Sequence, residues 1–194
     1  MTDIGATVIE VALPGGTDLA GAIVWDHEFK DDLAGYLAGI PEAPIASLAE
    51  ILERGLFHPS LETRLRHLAV TPGRDDPSYR QALAKQAEAR AAVTGLLDRL
   101  GLDALVYPTL RQKPPPIGGS PRRSNARLAA VTGLPALAAP AGFTADGLPV
   151  GFELLGRSLA DARLVALAYA YEQAVRPRRP PPSTPALTLS GASV

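Results

Sequence analysis

Apolar and polar residues alternate with two different periods along this chain, and together the two periods predict a mixture of strands and helices. Residues 5–14 are rich in β-branched side chains and alternate with a period of two, which predicts a strand that ends at Pro14. From Thr17 to about Ile40 the apolar residues recur at helical spacing, which predicts a helix. Strands and helices are therefore both expected in the first 40 residues.

Capping residues mark the starts of two further helices. Ser47 precedes the apolar run of residues 48–57, as an N-cap residue does. Asp76 followed by Pro77 is an N-cap with proline at the first helical position, and Gly101 is a natural stop for the helix that follows. The sequence thus predicts a short helix after Ser47 and a long one after Asp76.

The chain between residues 103 and 133 predicts a strand, a loop and a short helix. Residues 103–109 form a short apolar run that predicts a buried strand. Residues 110–123 contain too many prolines and glycines for regular structure, and loops of this length within a compact domain are usually functional or mobile. Residues 125–131 predict a short helix that ends at Gly133.

The most apolar part of the chain predicts an antiparallel hairpin. Residues 135–143 and 148–156 are two apolar runs joined by Thr-Ala-Asp-Gly, and Asp-Gly is a strong turn signal. Four of the nine residues in the first run are alanine, so we expect a large element to lie close against it.

A helix and a proline-rich tail follow this hairpin. Ser158 and Asp161 have the spacing of a capping box, and the helix that they predict carries an apolar stripe and ends before Pro177. We therefore expect one domain over residues 1–176 and a tail over residues 177–194.

Composition restricts the classes of function. The net charge of −1 gives no field that would recruit nucleic acid. The chain contains no cysteine, which excludes disulfides and thiolate chemistry and favours a cytoplasmic location. No run approaches the roughly 20 apolar residues of a membrane helix, so we expect no membrane partner.

Residues that hold metals or phosphates are sparse. His27, His58 and His67 are the only histidines, and we expect His27 to be a surface or helix-packing residue and His58 to lie at a helix end. Gly147–Gly151 lacks the lysine and hydroxyl residue of a phosphate-binding loop. We therefore expect no cofactor and no metal.

The hairpin and the helix after it resemble the C-terminal end of the amidase signature enzymes. The resemblance is carried by TGLPALAAPAGFTADGLPVGFELLGR at residues 132–157 and by DARLVALAYAYEQAVRPRRPP at residues 161–181. The strand and loop before them fit LDALVYPT at residues 102–109. Residues 28–40 resemble an upstream helix of the family more loosely.

The resemblance implies a fold and a reaction. The fold is α/β, a partial amidase-signature fold in which a mixed β-sheet is flanked by helices. The reaction is hydrolysis of carboxamide C–N bonds through a serine acyl-enzyme. The resemblance also offers a reason for the alanines of the hairpin, because strands covered by helices on both faces leave little room for side chains.

The resemblance further implies that the catalytic residues of such enzymes lie outside this chain. The family uses a lysine and two serines, held in segments of the type G-S-S-G-G-S and G-S-[IV]-R, and neither segment occurs in residues 1–194. Lys113, Ser120 and Ser124 are a superficial substitute, but the prolines after Lys113 extend the chain and Pro121 offers no N–H for an oxyanion hole. We expect no catalytic residue here and no hydrolysis by the chain alone.

Three residues are candidates for substrate binding, because the later half of such enzymes supplies walls of the substrate pocket. They are Thr109, Arg123 and Asn125. Each has an alternative role in the loop: Thr109 in a turn formed by its hydroxyl, Asn125 as the N-cap of the next helix, and Arg123 in solvent.

Three functions remain open at this point. The chain is the C-terminal portion of an amidase-type hydrolase, inactive alone, which buries an apolar surface against a second copy or a complementary N-terminal amidase half. Alternatively it is a non-catalytic binding or assembly module derived from the amidase fold. The third possibility is an unrelated hydrolase that uses Ser120.

Overall fold

The computed structural model describes residues 1–13, 19–116, 118–119 and 124–181. Two compact units are found. One, here called the sheet unit, comprises residues 1–10, 102–126 and 134–194, and the other, the helical unit, comprises residues 11–101 and 127–133. The predicted boundary between a domain over residues 1–176 and a tail stays a prediction, since residues 182–194 lie outside the described part.

The helical unit consists of α-helices that follow one another along the chain. They are α1 (Trp25–Ala38), α2 (Leu48–Glu53), α3 (Glu62–Val70), α4 (Pro77–Arg99) and α5 (Arg127–Thr132), with a 3-10 helix at Pro59–Leu61. The predicted caps are confirmed, because Ser47 accepts a hydrogen bond from the amide of Glu50 and Asp76 accepts one from the amide of Ser78. The end of α4 is also as predicted, since Gly101 takes the left-handed conformation with φ of 61°.

The first helix is shorter than its sequence pattern predicts. It begins at Trp25, and residues 19–22 form turns instead, while residues 14–18 lie outside the described part. Ala22 is fully buried in a cluster with Ala89 of α4 and Val131 of α5. Its carbonyl accepts a hydrogen bond of 3.1 Å from the side chain of Gln86, so a tertiary contact takes the place of a helical one.

The sheet unit contains a three-stranded antiparallel sheet. The strands are β1 (Leu105–Pro108), β2 (Ala136–Phe143) and β3 (Pro149–Leu155), in the order β1-β3-β2. The predicted strand over 103–109 and the predicted hairpin are confirmed, as is the α/β class. The predicted strand over residues 5–14 is wrong: residues 6–13 form no regular element, and a 3-10 helix at Thr2–Ile4 precedes them. β-branched residues favour a strand only where a neighbouring strand receives them.

One face of the sheet packs against α6 (Asp161–Val175). Phe152 and Leu154 of β3 form a buried cluster with Leu164, and Tyr171 packs on Phe152 edge to face with ring centroids 4.9 Å apart. The predicted apolar stripe on this helix is therefore confirmed. The predicted capping box is wrong, because Ala160 is the N-cap residue and no side chain caps the helix.

The two prolines of the hairpin lie where strands tolerate proline. Pro140 precedes a register shift in β2, which is an edge strand among the described strands, and Gly142 after it has φ of 139°. Pro149 is the first residue of β3. Edges, bulges and strand starts are positions at which the missing N–H of proline costs little.

The expectation that helices cover both faces of the strands is wrong for β2 within the described chain. Leu137 and Ala139 point towards α6 and are half-buried, but Ala136, Ala138 and Pro140 on the other face are exposed. The alanines of β2 therefore leave an open face.

In the described part of the chain, no helix is both long enough and apolar enough to cross a membrane.

Candidate functional site

A groove lies in the sheet unit at the end of the sheet where β1 and β2 finish and β3 begins. Its volume is about 1170 Å³. The strands, the loop after β1, the hairpin turn and the segment after α6 all contribute to its walls. The lining residues are Thr109, Leu110, Gln112, Lys113, Pro114, Ala138, Ala139, Pro140, Gly142, Phe143, Thr144, Gly147, Pro149, Val150, Gly151, Pro177, Arg178, Arg179, Pro180 and Pro181.

Most of this lining is apolar, and two cationic side chains are held within it. Lys113 Nζ lies 2.7 Å from a carboxylate oxygen of Asp146 in the hairpin turn, so this ion pair joins the loop after β1 to the hairpin. The Arg179 guanidinium lies over the ring of Phe143, 3.7 Å from its centroid, which places the segment after α6 against β2. Such a groove can bury an apolar group while its rim presents positive charge.

The hairpin turn is fixed by its own hydrogen bonds. The Thr144 amide donates to the carbonyl of Leu148 at 2.8 Å, and the Leu148 amide donates to the Thr144 hydroxyl at 3.0 Å. The ammonium of Lys113 lowers the pKa of Asp146 beneath its usual range, and the hydroxyl of Thr144 lowers it further. This end of the groove therefore rests on a closed turn.

Thr109 and Asn125, two of the three predicted binding residues, are brought together by the structure. The amide of Asn125 donates to the carbonyl of Thr109 at 3.0 Å, and its side-chain nitrogen donates to the carbonyl of Pro108 at 2.7 Å. These are loop-stabilising bonds at the end of β1. Thr109 lines the groove, and Asn125 is not among its lining residues. A substrate-binding role for both stays a prediction.

Arg123, the third predicted binding residue, lies outside the described residues, as does Ser120. Of the superficial Lys–Ser–Ser set, Lys113 is engaged by Asp146 and the Ser124 hydroxyl accepts a hydrogen bond from the amide of Ala126. The structure therefore assigns both described members of this set to contacts within loops.

A polar pair in the sheet was not predicted from the sequence. Glu153 lies in the middle of β3, opposite Tyr107 of β1, and is only 7% exposed. Within the described part of the chain, Oε2 of Glu153, the hydroxyl of Tyr107 and the hydroxyl of Thr109 are buried and have no hydrogen-bond partner. The signal in the sequence was a single carboxylate in the otherwise apolar run of residues 148–156.

Burial and charge both act on the Tyr107 hydroxyl. Burial raises its pKa, and the neighbouring carboxylate of Glu153 raises it further, because a second negative charge beside the first is unfavourable. Tyr107 is therefore held in its neutral, protonated form.

The histidines lie in the helical unit. Nδ1 of His27 is 2.8 Å from the carbonyl of Pro72, and its ring packs on Tyr79 edge to face, so His27 packs α1 as predicted. His58 is the N-cap of the 3-10 helix, also as predicted. The described residues include no group of three or more His, Asp or Glu side chains that could hold a metal ion.

A sequence model of the family called Amidase matches residues 1–165 of the chain. The chain belongs to this family. The hairpin is thus part of an amidase domain, and the resemblance is confirmed over residues 102–165.

Individual amidases resemble the chain over most of its length. A probable amidase of Arabidopsis thaliana is 30% identical over 181 residues, which cover 89% of this chain and 32% of that protein. The peptide amidase of Stenotrophomonas maltophilia superposes with a TM-score of 0.74 at 34% identity, covering 88% of this chain and 37% of that one. The chain therefore spans about a third of the length of these relatives.

A shorter similarity extends to an amidotransferase subunit. A glutamyl-tRNA(Gln) amidotransferase chain of Synechococcus is 44% identical over 59 residues, which cover 29% of this chain and 11% of that protein. The relatives thus differ in their named activities, and the family alone does not choose among substrates.

Proposed function

We propose that this chain provides substrate-pocket walls for an amidase-type hydrolase that cleaves carboxamide C–N bonds, and that it does not complete the catalytic apparatus by itself. The observation that carries the proposal is the groove at the end of the sheet, with Thr109 in its wall. Strand ends are where enzymes built on sheets commonly hold their ligands.

The groove supports a division of roles in this reaction. Its apolar walls, formed in part by Ala139, Phe143 and Val150, suit the hydrocarbon part of an amide. In the proposed reaction a serine oxygen attacks the amide carbon, the C–N bond breaks, the nitrogen leaves with a proton, and water then releases the acyl group. This chain contains neither a G-S-S-G-G-S segment nor a G-S-[IV]-R segment. In the proposed reaction the serine and its base therefore come from outside the chain.

Hydrolysis by the isolated chain is the first test. We expect no ammonia release from hexanamide or from a peptide amide, because pocket walls alone form no acyl-enzyme. Turnover that Ser120→Ala abolishes would reject the proposal and favour an unrelated hydrolase that uses Ser120.

Ligand binding to the groove is the second test, and it is independent of turnover. In an NMR titration, hexanamide should shift the backbone amides of residues that line the groove. Ala138→Leu, within the groove, should weaken this binding by about tenfold because it fills apolar space. Ala170→Leu on the exposed side of α6 is the matched control and should leave binding unchanged. Equal effects of the two variants would contradict the proposed binding site.

A second candidate function, a binding or assembly module derived from the amidase fold, is supported by β2. This strand is an edge strand among the described strands, and Ala136, Ala138 and Pro140 are exposed on the face away from α6. Edges of this kind pair readily with another chain. Under either function we propose that a second copy or a complementary N-terminal amidase half covers this face.

Sedimentation equilibrium at micromolar concentration, with titration of a hydrophobic dye, tests the partner. The assembly module would be favoured by two results together. The chain self-associates and Ala138→Lys abolishes this association, and the chain neither binds nor hydrolyses hexanamide. A monomer that binds no dye would reject the proposed partner.

A cytoplasmic location is also part of the proposal, supported by the absence of cysteine, and cell fractionation tests it.

A further inference from the structure

Three buried side-chain oxygens lie in a row on the face of the sheet that points away from α6. Tyr107 and Glu153 are opposite each other in the β1–β3 ladder. Thr109 continues that ladder, since its amide donates to the carbonyl of Gly151 at 3.3 Å. Because side chains alternate between faces, Thr109 and Tyr107 share one face, and so do Gly151 and Glu153.

Small residues flank this row. Ala138 of β2 is opposite Glu153 and is exposed. A Cβ built on Gly151 would lie 3.4 Å from the Thr109 hydroxyl oxygen, so this oxygen faces the position where Gly151 has no side chain. Thr109 and Gly151 also line the groove, and the row therefore begins at the groove wall and runs along the sheet.

The oxygens of this row are short of donors. Glu153 is only 7% exposed, and its Oε2 has no partner among the described residues, although a buried carboxylate is costly unless a donor or a cation satisfies it. A carboxylate only accepts hydrogen bonds. The Tyr107 hydroxyl also has no partner among the described residues, and a phenol oxygen can accept as well as donate a hydrogen bond.

We propose that Glu153, Tyr107 and Thr109 form a binding site for a primary ammonium group. Such a group brings three N–H donors and a positive charge, and the row offers one carboxylate oxygen and two hydroxyl oxygens. Hydrogen bonds between a cation and a carboxylate are roughly twice as strong as neutral ones, so Glu153 contributes most of the binding. The site does not depend on hydrolysis of amides by the chain.

Two sources could supply this group, the free ammonium ion and an organic amine. The experiment is an NMR titration of the full chain with ammonium chloride, ethylammonium chloride and tetramethylammonium chloride at equal ionic strength. The first two should give saturable shifts at residues 107, 109 and 153, and the third should not, because it has the charge without N–H donors. Binding of ethylammonium but not ammonium would assign the site to organic amines, and comparable binding of both would include the free ion.

Variants test which side chains are responsible. Glu153→Gln keeps the shape of the side chain and should weaken ammonium binding by about tenfold or more. Tyr107→Phe should weaken it by a smaller factor. Glu172→Gln on the exposed side of α6 is the control and should have no effect.

Two results would overturn the inference. The first is that tetramethylammonium shifts the NMR signals of residues 107, 109 and 153 as much as ammonium does. This result is obtained with the original chain and requires no variant. The other is a folded Glu153→Gln chain that binds ammonium as tightly as the original chain does.

Discussion

Gly156 and Leu164 are in close contact where the end of the sheet meets α6. A Cβ built on Gly156 would lie 3.0 Å from Cδ2 of Leu164 and 3.2 Å from its Cγ. Leu164 is 1% exposed and belongs to the buried cluster of Phe152 and Leu154, so it has little room to move. The packing here leaves little room for a side chain at residue 156.

Gly156→Ala is therefore expected to destabilise the chain. The added methyl group must displace a buried leucine, which typically costs about 1–3 kcal/mol. Gly95→Ala in α4 is the matched control, because a Cβ there would meet nothing closer than the Arg99 guanidinium at 4.0 Å. We expect that variant to gain roughly 0.4–1 kcal/mol through helix propensity. Urea unfolding measures both, and destabilisation by both variants alike would contradict the packing argument.

The ion pair between Asp26 of α1 and Arg64 of α3 predicts a dependence of stability on pH. The Arg64 guanidinium donates to both carboxylate oxygens of Asp26, with Nη1 3.0 Å from Oδ2. These hydrogen bonds lower the pKa of Asp26 from 3.8. The contribution to stability is therefore complete above the unfolded-state pKa of about 3.8 and is lost as the pH falls through the lower folded-state pKa.

Asp26→Asn should lower the free energy of unfolding at pH 7 by roughly 0.5–1 kcal/mol, because Arg64 is 45% exposed and solvent screens the pair. The difference from the original chain should narrow as the pH falls below the unfolded-state pKa. Asp75→Asn, at an exposed residue between α3 and α4, is the control. A difference that stays constant from pH 7 down to acid would refute the assignment.

The N-cap of α2 predicts the effect of removing one hydroxyl. Ser47 accepts a hydrogen bond of 3.2 Å from the amide of Glu50, and the carboxylate of Glu50 accepts one of 2.8 Å from the amide of Ala46. Ser47→Ala should cost about 1 kcal/mol. Thr63→Ala on the exposed surface of α3 should cost nothing, since alanine is the better helix former. Thermal unfolding of the two variants compares them, and equal midpoints would show that the cap contributes nothing.

The hydrogen bond between Gln86 and Ala22 is expected to stabilise residues 19–24, the segment before α1. Gln86→Ala removes the donor to a carbonyl of a fully buried residue, which should cost about 1 kcal/mol. Hydrogen exchange at residues 19–24 should become faster. Gln81→Ala, on the exposed side of the same helix, is expected to change neither quantity. Unchanged exchange in the Gln86 variant would argue against this contact.

The local sequence was sufficient to predict the elements whose ends are fixed by hydrogen bonds between nearby residues. Ser47 and Asp76 cap helices as predicted, and the Asp-Gly turn closes the hairpin between β2 and β3. The apolar stripe led by Leu164 also identified the buried face of α6. The caps and the turn depend on contacts within a few residues of the chain, and the stripe depends on the helical spacing of apolar residues in α6, so the sequence alone predicts them.

Tertiary structure decided where distant residues compete with local preference. Residues 6–13 form no strand despite their strand-like pattern, because no described strand pairs with them. The first helix begins later than its pattern predicts, and the carbonyl of Ala22 before it binds the side chain of Gln86 instead. In the candidate site, the family resemblance made Thr109 a predicted pocket residue, but the sequence could not pair Glu153 with Tyr107, since their adjacency arises from the β1–β3 register. Register depends on the whole sheet, and one isolated carboxylate in an apolar run does not reveal which residue will face it.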